Sequence, residues 1–147
     1  MDEIETAHHH FMHKCIELAL LAKQRGDSAV GSVIVKEGEI IATGIEGGKT
    51  HNDITYHAEI EAIRHATGLL KSQDLSMCIL YTTHEPCIMC SYVIRHTGIH
   101  TVAMGVLSNT IGGISSAYPL LADTTITKWK KPPQIITGIL EHECRNL

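Results

Sequence analysis

Thr83-His84-Glu85-Pro86-Cys87-Ile88-Met89-Cys90 is the segment around which the rest of this sequence is best interpreted. Two cysteines three positions apart, directly behind a proline, predict the first turn of a helix with both sulfur atoms on one face. The positive end of the helix dipole favours the thiolate, which is the form of cysteine that binds metal ions. The segment therefore predicts two metal ligands at the start of a helix.

A second polar cluster lies upstream, where His57 is followed two residues later by Glu59. The complete pattern reads His-x-Glu, then 26 residues, then Pro-Cys-x-x-Cys. Residues two apart on a helix point to different sides, so both reach one ion only if it lies beyond the amino end of the helix. We therefore expect two helix amino ends to converge on a single metal site.

The donor set of one histidine and two cysteines suits zinc, which prefers tetrahedral nitrogen and sulfur ligands. A catalytic zinc site keeps three protein ligands and leaves the fourth position to water, whose pKa falls to roughly 7. We expect His57, Cys87 and Cys90 to bind one Zn2+, and Glu59 to carry protons from that water to the substrate. A carboxylate bound to the metal is not free to do so, and Glu59 is therefore predicted not to be a ligand.

Length and composition indicate one soluble domain spanning residues 1–147, with 44% hydrophobic and 19% charged residues. The net charge of −4 argues against broad nucleic-acid binding, which needs a basic surface. Five cysteines is an odd number, and no secretory or membrane-spanning segment is visible. We therefore expect a reducing, cytoplasmic location and no membrane association.

Hydrophobic periodicity predicts the order α-β-β-α-β-α-β-(β)-α. The predicted helices are residues 10–25, 57–70, 87–97 and 139–146, and the predicted strands are residues 32–35, 39–43, 78–82, 100–104 and 134–137. Residues 44–53 are polar and glycine-rich and are predicted to form a loop. His8, His9 and His10 are left out of the metal argument because a frayed start is expected there. The order predicts a three-layer α/β/α fold with a mixed five-stranded sheet between helices.

The cysteine pair has two other interpretations. His84 lies three residues before Cys87, and together with Cys78 it would complete a closed, structural zinc site. A Cys-x-x-Cys pair also occurs as a redox centre. The structural site leaves the His-x-Glu pattern unexplained, and the redox centre lacks the usual βαβ surroundings.

Five segments of the sequence match a known family. They are Gly31–Val35, Thr55–Ile60, Leu80–Thr83, Glu85–Cys90 and Gly138–Cys144. On these segments the chain resembles the cytidine deaminase-like superfamily, in the branch that holds bacterial tRNA adenosine deaminases and small guanine and cytosine deaminases. The resemblance covers nearly the whole chain. It implies the same three ligands, the same proton carrier, and a substrate ring held partly by the backbone around Ala58. It also implies a homodimer formed through helices near the second motif.

The chain departs from the family pattern where the base is bound. Family members usually carry asparagine in a Gly-x-Asn arrangement, whereas this sequence reads Gly44-Ile45-Glu46. An amide donates and accepts hydrogen bonds, but an ionised carboxylate only accepts them. If Glu46 points inward, it favours a ring that presents N–H groups, or a ribose hydroxyl; a solvated loop position is the alternative. His84 also replaces a more usual small or apolar residue and is a candidate pocket residue.

Other departures concern RNA. The tRNA enzymes carry a charged pair after the fourth strand that meets the anticodon backbone, where this chain reads Leu107-Ser108-Asn109. Their long basic C-terminal helix has no counterpart before Leu147. Side chains suited to base stacking are few, with one Phe and one Trp in the sequence.

We therefore predict a zinc-dependent hydrolytic deaminase that converts an amino-substituted nucleobase or nucleoside of the guanine, cytosine or adenine type to its keto form and releases ammonia. The predicted partner is a small-molecule base or nucleoside. The alternative is a tRNA wobble-adenosine deaminase that makes inosine. A non-catalytic zinc-containing paralogue that acts as a binding module is the further alternative, and the intact Glu59 argues against it.

Overall fold

The chain forms a mixed five-stranded sheet with helices on both faces, as a computed structural model describes for residues 1–147. The helices are α1 (Glu3–Gln24), α2 (Ala58–Leu70), α3 (Ile88–Thr97) and α4 (Glu141–Arg145). The strands are β1 (Gly31–Lys36), β2 (Glu39–Ile45), β3 (Cys78–His84), β4 (Thr101–Val106) and β5 (Gln134–Ile136). The predicted element order is confirmed, and a short 3-10 turn at Leu120–Ala122 adds to it.

The sheet has the strand order β2-β1-β3-β4-β5. Strand β1 runs antiparallel to β2 and β3, while β3, β4 and β5 are parallel to one another. Parallel strands place their carboxyl ends at the same edge of a sheet. The segments that follow β3 and β4 therefore lie side by side, and the cysteine motif is one of them.

Alternating side chains of the strands build a core on each face of the sheet. Val33 and Val35 face the layer of α1 and α4, where they meet Tyr81 and Cys144. Ile34, between them, faces the layer of α2 and α3. This period-two burial on both faces requires helices above and below. The predicted three-layer α/β/α architecture is confirmed.

Helix α2 packs closely on β2 through a stripe of small residues. Ala58, Ala62 and Ala66 are fully buried along one face of the helix. A Cβ atom on Gly44 would lie 1.9 Å from the carbonyl oxygen of Ala58 and 2.6 Å from the nitrogen of Ala62. Both contacts are to backbone atoms, so only glycine fits there. The close approach fixes the start of α2 next to the end of β2.

The first helix begins earlier than the sequence pattern indicates. Asp2 caps α1 by accepting a hydrogen bond from the Glu5 N–H at 2.8 Å, and the helix starts at Glu3. His8 lies within it, with its Nδ1 atom 2.7 Å from the hydroxyl of the buried Tyr81. The expected frayed start around His8–His10 is therefore wrong, because the cap and this contact order the helix.

None of the four helices combines the length with the apolar composition that spanning a lipid bilayer requires.

Candidate metal centre

Two helix amino ends bring the predicted ligands together. His57 is the residue before the first turn of α2, and Cys87 holds the same position before α3. Both have extended backbones, with φ and ψ of −85° and 149° for His57 and −72° and 178° for Cys87. Neither side chain caps its own helix, so both are directed elsewhere. The structure confirms the expected convergence of two helix starts.

The ligand atoms have the spacing of a zinc site. The Nδ1 atom of His57 lies 3.5 Å from the sulfur of Cys87 and 3.4 Å from the sulfur of Cys90. All three atoms lie within 4.8 Å of one another. Zinc bonds of ordinary length at a tetrahedral angle separate a nitrogen and a sulfur ligand by about 3.6 Å. The donor set and its spacing therefore fit zinc with little rearrangement, and three ligands leave one position for water.

Protons are shared among these three side chains. A hydrogen bond from the Cys90 thiol lowers the pKa of Cys87 to about 4. The same hydrogen bond, together with burial, raises the pKa of Cys90. The hydrogen bond to Cys87 raises the pKa of His57 to about 9. Zinc binds thiolates and neutral imidazole, so metal binding here competes with protons.

Glu59 lies in the first turn of α2, and only 4% of its surface is exposed. Burial raises the pKa of its carboxyl group to about 8. Its oxygens do not belong to the cluster of ligand atoms formed by His57 and the two cysteines. A carboxyl group whose pKa lies near neutrality can both take up and release a proton.

Glu46 is half-buried and lies at the amino end of α2 beside His57. Its Oε2 atom accepts a hydrogen bond from the Gly48 N–H at 3.2 Å. Burial raises the pKa of its carboxyl group, while the charge of His57 and the N–H groups of Gly48 and Ala58 lower it. Ala58 itself is fully buried. The side chain of Glu46 is thus held in place by the backbone of its own loop.

His84 and Cys78 lie outside the metal cluster. The Nδ1 atom of His84 contacts the Thr83 hydroxyl at 2.8 Å, and burial lowers the pKa of its ring. Cys78 begins strand β3 and His84 ends it, which puts about 20 Å between them. The cluster contains only His57, Cys87 and Cys90. The alternative closed site formed with His84 and Cys78 is therefore wrong.

An aromatic pair precedes the ligand His57 in the chain. Tyr56 directly precedes His57, and its ring stacks on the ring of His51 with centroids 4.0 Å apart and an angle of 13° between the planes. Both rings line a cavity of about 250 Å³ together with Glu46. The sequence count of Phe and Trp gave no sign of this surface, because it is made of tyrosine and histidine.

Glu85 is a further functional candidate, and the sequence analysis assigned no role to it. It directly precedes Pro86 in the cysteine motif, is 4% exposed, and binds backbone groups 23 to 30 residues further along the chain. No local pattern reveals such partners. The only signal in the sequence is an acidic residue next to an apolar strand and a proline.

A buried carboxyl group beside three nitrogen and sulfur ligands, with one coordination position left for water, is typical of zinc-dependent hydrolases. Histidine with two cysteines is the ligand set of the zinc deaminases among them. The sequence profile described as the cytidine and deoxycytidylate deaminase zinc-binding region matches residues 5–106, and the chain belongs to this family. It is a hydrolase that acts on carbon–nitrogen bonds, and its cofactor is zinc.

Known proteins resemble the chain over most of its length. A tRNA-specific adenosine deaminase of Aquifex aeolicus (strain VF5) is 37% identical over 127 residues, which is 84% of each protein. A structure from a study of A-to-I editing by tRNA:A34 deaminases superimposes with a TM-score of 0.87 and 31% identity, covering 93% of this chain and 97% of the other. A guanine deaminase of Bacillus subtilis is 37% identical, with a TM-score of 0.65, covering 73% of this chain and 66% of the other.

Proposed function

We propose that this protein deaminates adenosine in tRNA at the wobble position and produces inosine. The similarity to tRNA-specific adenosine deaminases supports this alternative above the leading prediction, a free base or nucleoside. The observation that carries the proposed chemistry is the close spacing of His57, Cys87 and Cys90 beside the buried Glu59.

In the proposed mechanism, Nδ1 of His57 and the thiolates of Cys87 and Cys90 would hold a zinc ion, which would lower the pKa of a water molecule to roughly 7. The Glu59 carboxylate takes one proton from this water and gives it to the ring nitrogen of the base, while the water oxygen bonds to the ring carbon. Glu59 then takes the second proton from that oxygen and gives it to the amine. The carbon–nitrogen bond to the amine breaks, and the products are the keto base and ammonia. The burial of Glu59 supports this role, because solvent does not compete for the proton.

One feature near the site supports an RNA substrate. The stacked rings of Tyr56 and His51 offer an aromatic face in the cavity that Glu46 also lines, and proteins hold unpaired RNA bases by stacking on such faces. Arg25 lines the same cavity, but so do the carboxylates of Asp27, Glu46 and Glu61. The charge of the cavity therefore gives RNA no support, in keeping with the net charge of −4.

A small guanine-type base is the second candidate substrate, and Glu46 is the observation that favours it. Its carboxylate lies where the family pattern has an asparagine amide, and it only accepts hydrogen bonds. Guanine presents ring N–H groups, whereas the ring of adenine in a nucleoside presents lone pairs. The relative that supports this reading is the guanine deaminase of Bacillus subtilis. His84 stays a predicted pocket residue in either case.

A homodimer formed through the region of α3 remains a proposal. Ile88 and Tyr92 lie four residues apart on one face of α3 and are 36% and 51% exposed. Ile111, in the loop after β4, is 52% exposed. Apolar side chains with this much exposure beside the metal cluster support a surface that a second copy covers.

The test of the proposed function is release of ammonia by zinc-loaded protein. The substrates are free guanine, cytosine and adenine, the matching nucleosides, and an RNA anticodon stem-loop with adenosine at the wobble position. Turnover of the stem-loop with no turnover of free adenosine is the expected result. Turnover of guanine alone would overturn the proposal in favour of the second candidate, and inactivity on every substrate with zinc present would favour the binding module.

Glu46→Asn tests which group selects the base. The amide of asparagine can donate a hydrogen bond to a ring nitrogen that presents a lone pair, which the carboxylate cannot. We expect kcat/KM for the adenosine stem-loop to rise by about 5- to 30-fold, since one good hydrogen bond is worth about 1–2 kcal/mol. Glu39→Gln, an exposed substitution at the start of β2, is the control. An unchanged ratio of adenosine to guanine turnover in Glu46→Asn would show that Glu46 does not contact the base.

A further inference from the structure

We propose that Glu85 is a positioning residue for the zinc centre: its carboxylate fixes the loop after β4 against the backbone of Cys87. This inference rests on the ligand set of the proposed function. Residues 107–116 form this segment, which we call the β4 loop, and it follows β4 at the sheet edge where the cysteine motif follows β3. Glu85 itself directly follows the last residue of β3 and lies two residues before Cys87.

The carboxylate of Glu85 accepts four hydrogen bonds from the β4 loop. Its Oε2 atom accepts from the backbone N–H groups of Ile114 at 2.8 Å and Ser115 at 2.7 Å. Its Oε1 atom accepts from the N–H of Ser108 at 2.9 Å and from the hydroxyl of Ser115. Both ends of the loop are thus held by one buried side chain, and these hydrogen bonds keep its pKa low.

The β4 loop in turn contacts the metal-binding segment directly. Gly112 forms an isolated antiparallel bridge with Cys87. The Gly113 N–H donates to the carbonyl oxygen of Pro86 at 2.8 Å. The segment that presents the Cys87 sulfur is therefore braced from outside α3, and Glu85 holds the brace in place.

The size of Gly112 shows how close the contact is. A Cβ atom on Gly112 would lie 2.1 Å from the carboxyl carbon of Glu85 and 2.2 and 2.3 Å from its two oxygens. Only glycine allows the loop to pass over the carboxylate at this distance. Gly112→Ala therefore displaces the same contact from the side of the loop, and it provides a second, independent test.

Glutamine cannot replace the carboxylate at this position. If its amide nitrogen takes the place of Oε2, it faces the N–H groups of Ile114 and Ser115, which are also donors. If it takes the place of Oε1, it faces the N–H of Ser108. In either orientation at least one buried N–H loses its acceptor, and the loop has to move away from Cys87.

The experiment measures zinc affinity by competition with a chelator, and the absorption spectrum of the cobalt-substituted protein, whose thiolate bands report the geometry of the cysteine ligands. We expect Glu85→Gln and Gly112→Ala to weaken zinc binding by about 10 to 100-fold, the range for residues that orient metal ligands. We also expect their cobalt spectra to differ from that of the wild type. Zinc affinity within twofold of the wild type in both variants would overturn the inference.

A matched control separates positioning from general loosening. Asp27 is also a buried carboxylate that holds a loop, since it accepts from the N–H groups of Lys49 and Thr50 at 2.9 Å each, but it has no contact with Cys87. Asp27→Asn should leave zinc affinity and the cobalt spectrum unchanged. An equal loss in Asp27→Asn would overturn the positioning role.

Two further variants keep the test decisive. If Glu85→Gln does not fold, Ser115→Ala removes the hydroxyl that donates to Glu85 and accepts from the Asn109 N–H. It should weaken zinc binding in the same direction by a smaller factor, and no change there or in Gly112→Ala counts against the inference. Cys87→Ser tests the ligand set separately. Retention of full zinc affinity by Cys87→Ser would refute the ligand set, whereas its loss together with unchanged Glu85→Gln would refute only the role of Glu85.

Discussion

Glu59→Gln is expected to lower turnover by about 10²- to 10⁴-fold while the protein keeps its zinc. Glutamine has nearly the same shape as glutamate, but its amide cannot take a proton from water or return one to the substrate. Glu59 handles the proton at two points of the reaction, on the ring nitrogen and on the departing amine, so its loss affects both. The measurement is the rate of ammonia release at saturating substrate, with zinc content determined on the same sample.

The fold is expected to tolerate this substitution. Burial raises the pKa of Glu59, which shows that the protein interior disfavours its charge, and a neutral side chain there does not reduce stability. Glu61→Gln is the matched control, since Glu61 lies in the same turn of α2 and its carboxylate pairs with the exposed Arg64. Loss of zinc in Glu59→Gln would show that Glu59 is a ligand, and turnover within 10-fold of the wild type would assign proton transfer to another group.

Cys90→Ser is expected to weaken zinc binding by more than the roughly 100-fold that loss of an outer partner of a metal ligand costs. Cys90 is fully buried in the first turn of α3, and its sulfur lies 3.4 Å from Nδ1 of His57. The hydroxyl of serine is a poor ligand for zinc. Its oxygen atom is also smaller than sulfur and does not reach a zinc ion held by the other two ligands. The measurement is zinc content after dialysis, together with the rise in Tm on adding zinc, which depends on affinity.

Cys78→Ser is the control for this experiment. Cys78 is as deeply buried as Cys90, with 1% of its surface exposed, but it lies at the opposite end of β3 from the metal cluster. The two substitutions have the same chemistry and similar packing costs, and only Cys90→Ser should abolish the zinc-dependent rise in Tm. An equal response of both variants to zinc would refute Cys90 as a ligand.

The layered fold was predictable because its signals are local. The short β-branched run from Ser32 to Val35, the alanine stripe at Ala58, Ala62 and Ala66, and the apolar β3 each identify an element from neighbouring residues. Element ends were less predictable. The start of α1 at Glu3 depends on the cap formed by Asp2 and on the contact of His8 with Tyr81, and the second of these joins residues far apart in sequence.

The sequence by itself determined the chemistry of the metal site. His57, Cys87 and Cys90 are the donors that zinc selects, and their positions at predicted helix starts imply convergence on one ion. Spacing along the chain was enough for this prediction, because His57 and Glu59 belong to one helix turn and Cys87 and Cys90 to another.

The tertiary structure alone decided which polar residues surround that site. Only the folded chain brings Glu46 to the amino end of α2 near His57, and only there does Tyr56 stack on His51 beside a cavity. The hydrogen bonds of Glu85 reach 23 to 30 residues along the chain, because two parallel strands end at the same edge of the sheet. Contacts of this kind depend on how strands are ordered in the sheet, and no local pattern of residues encodes that order.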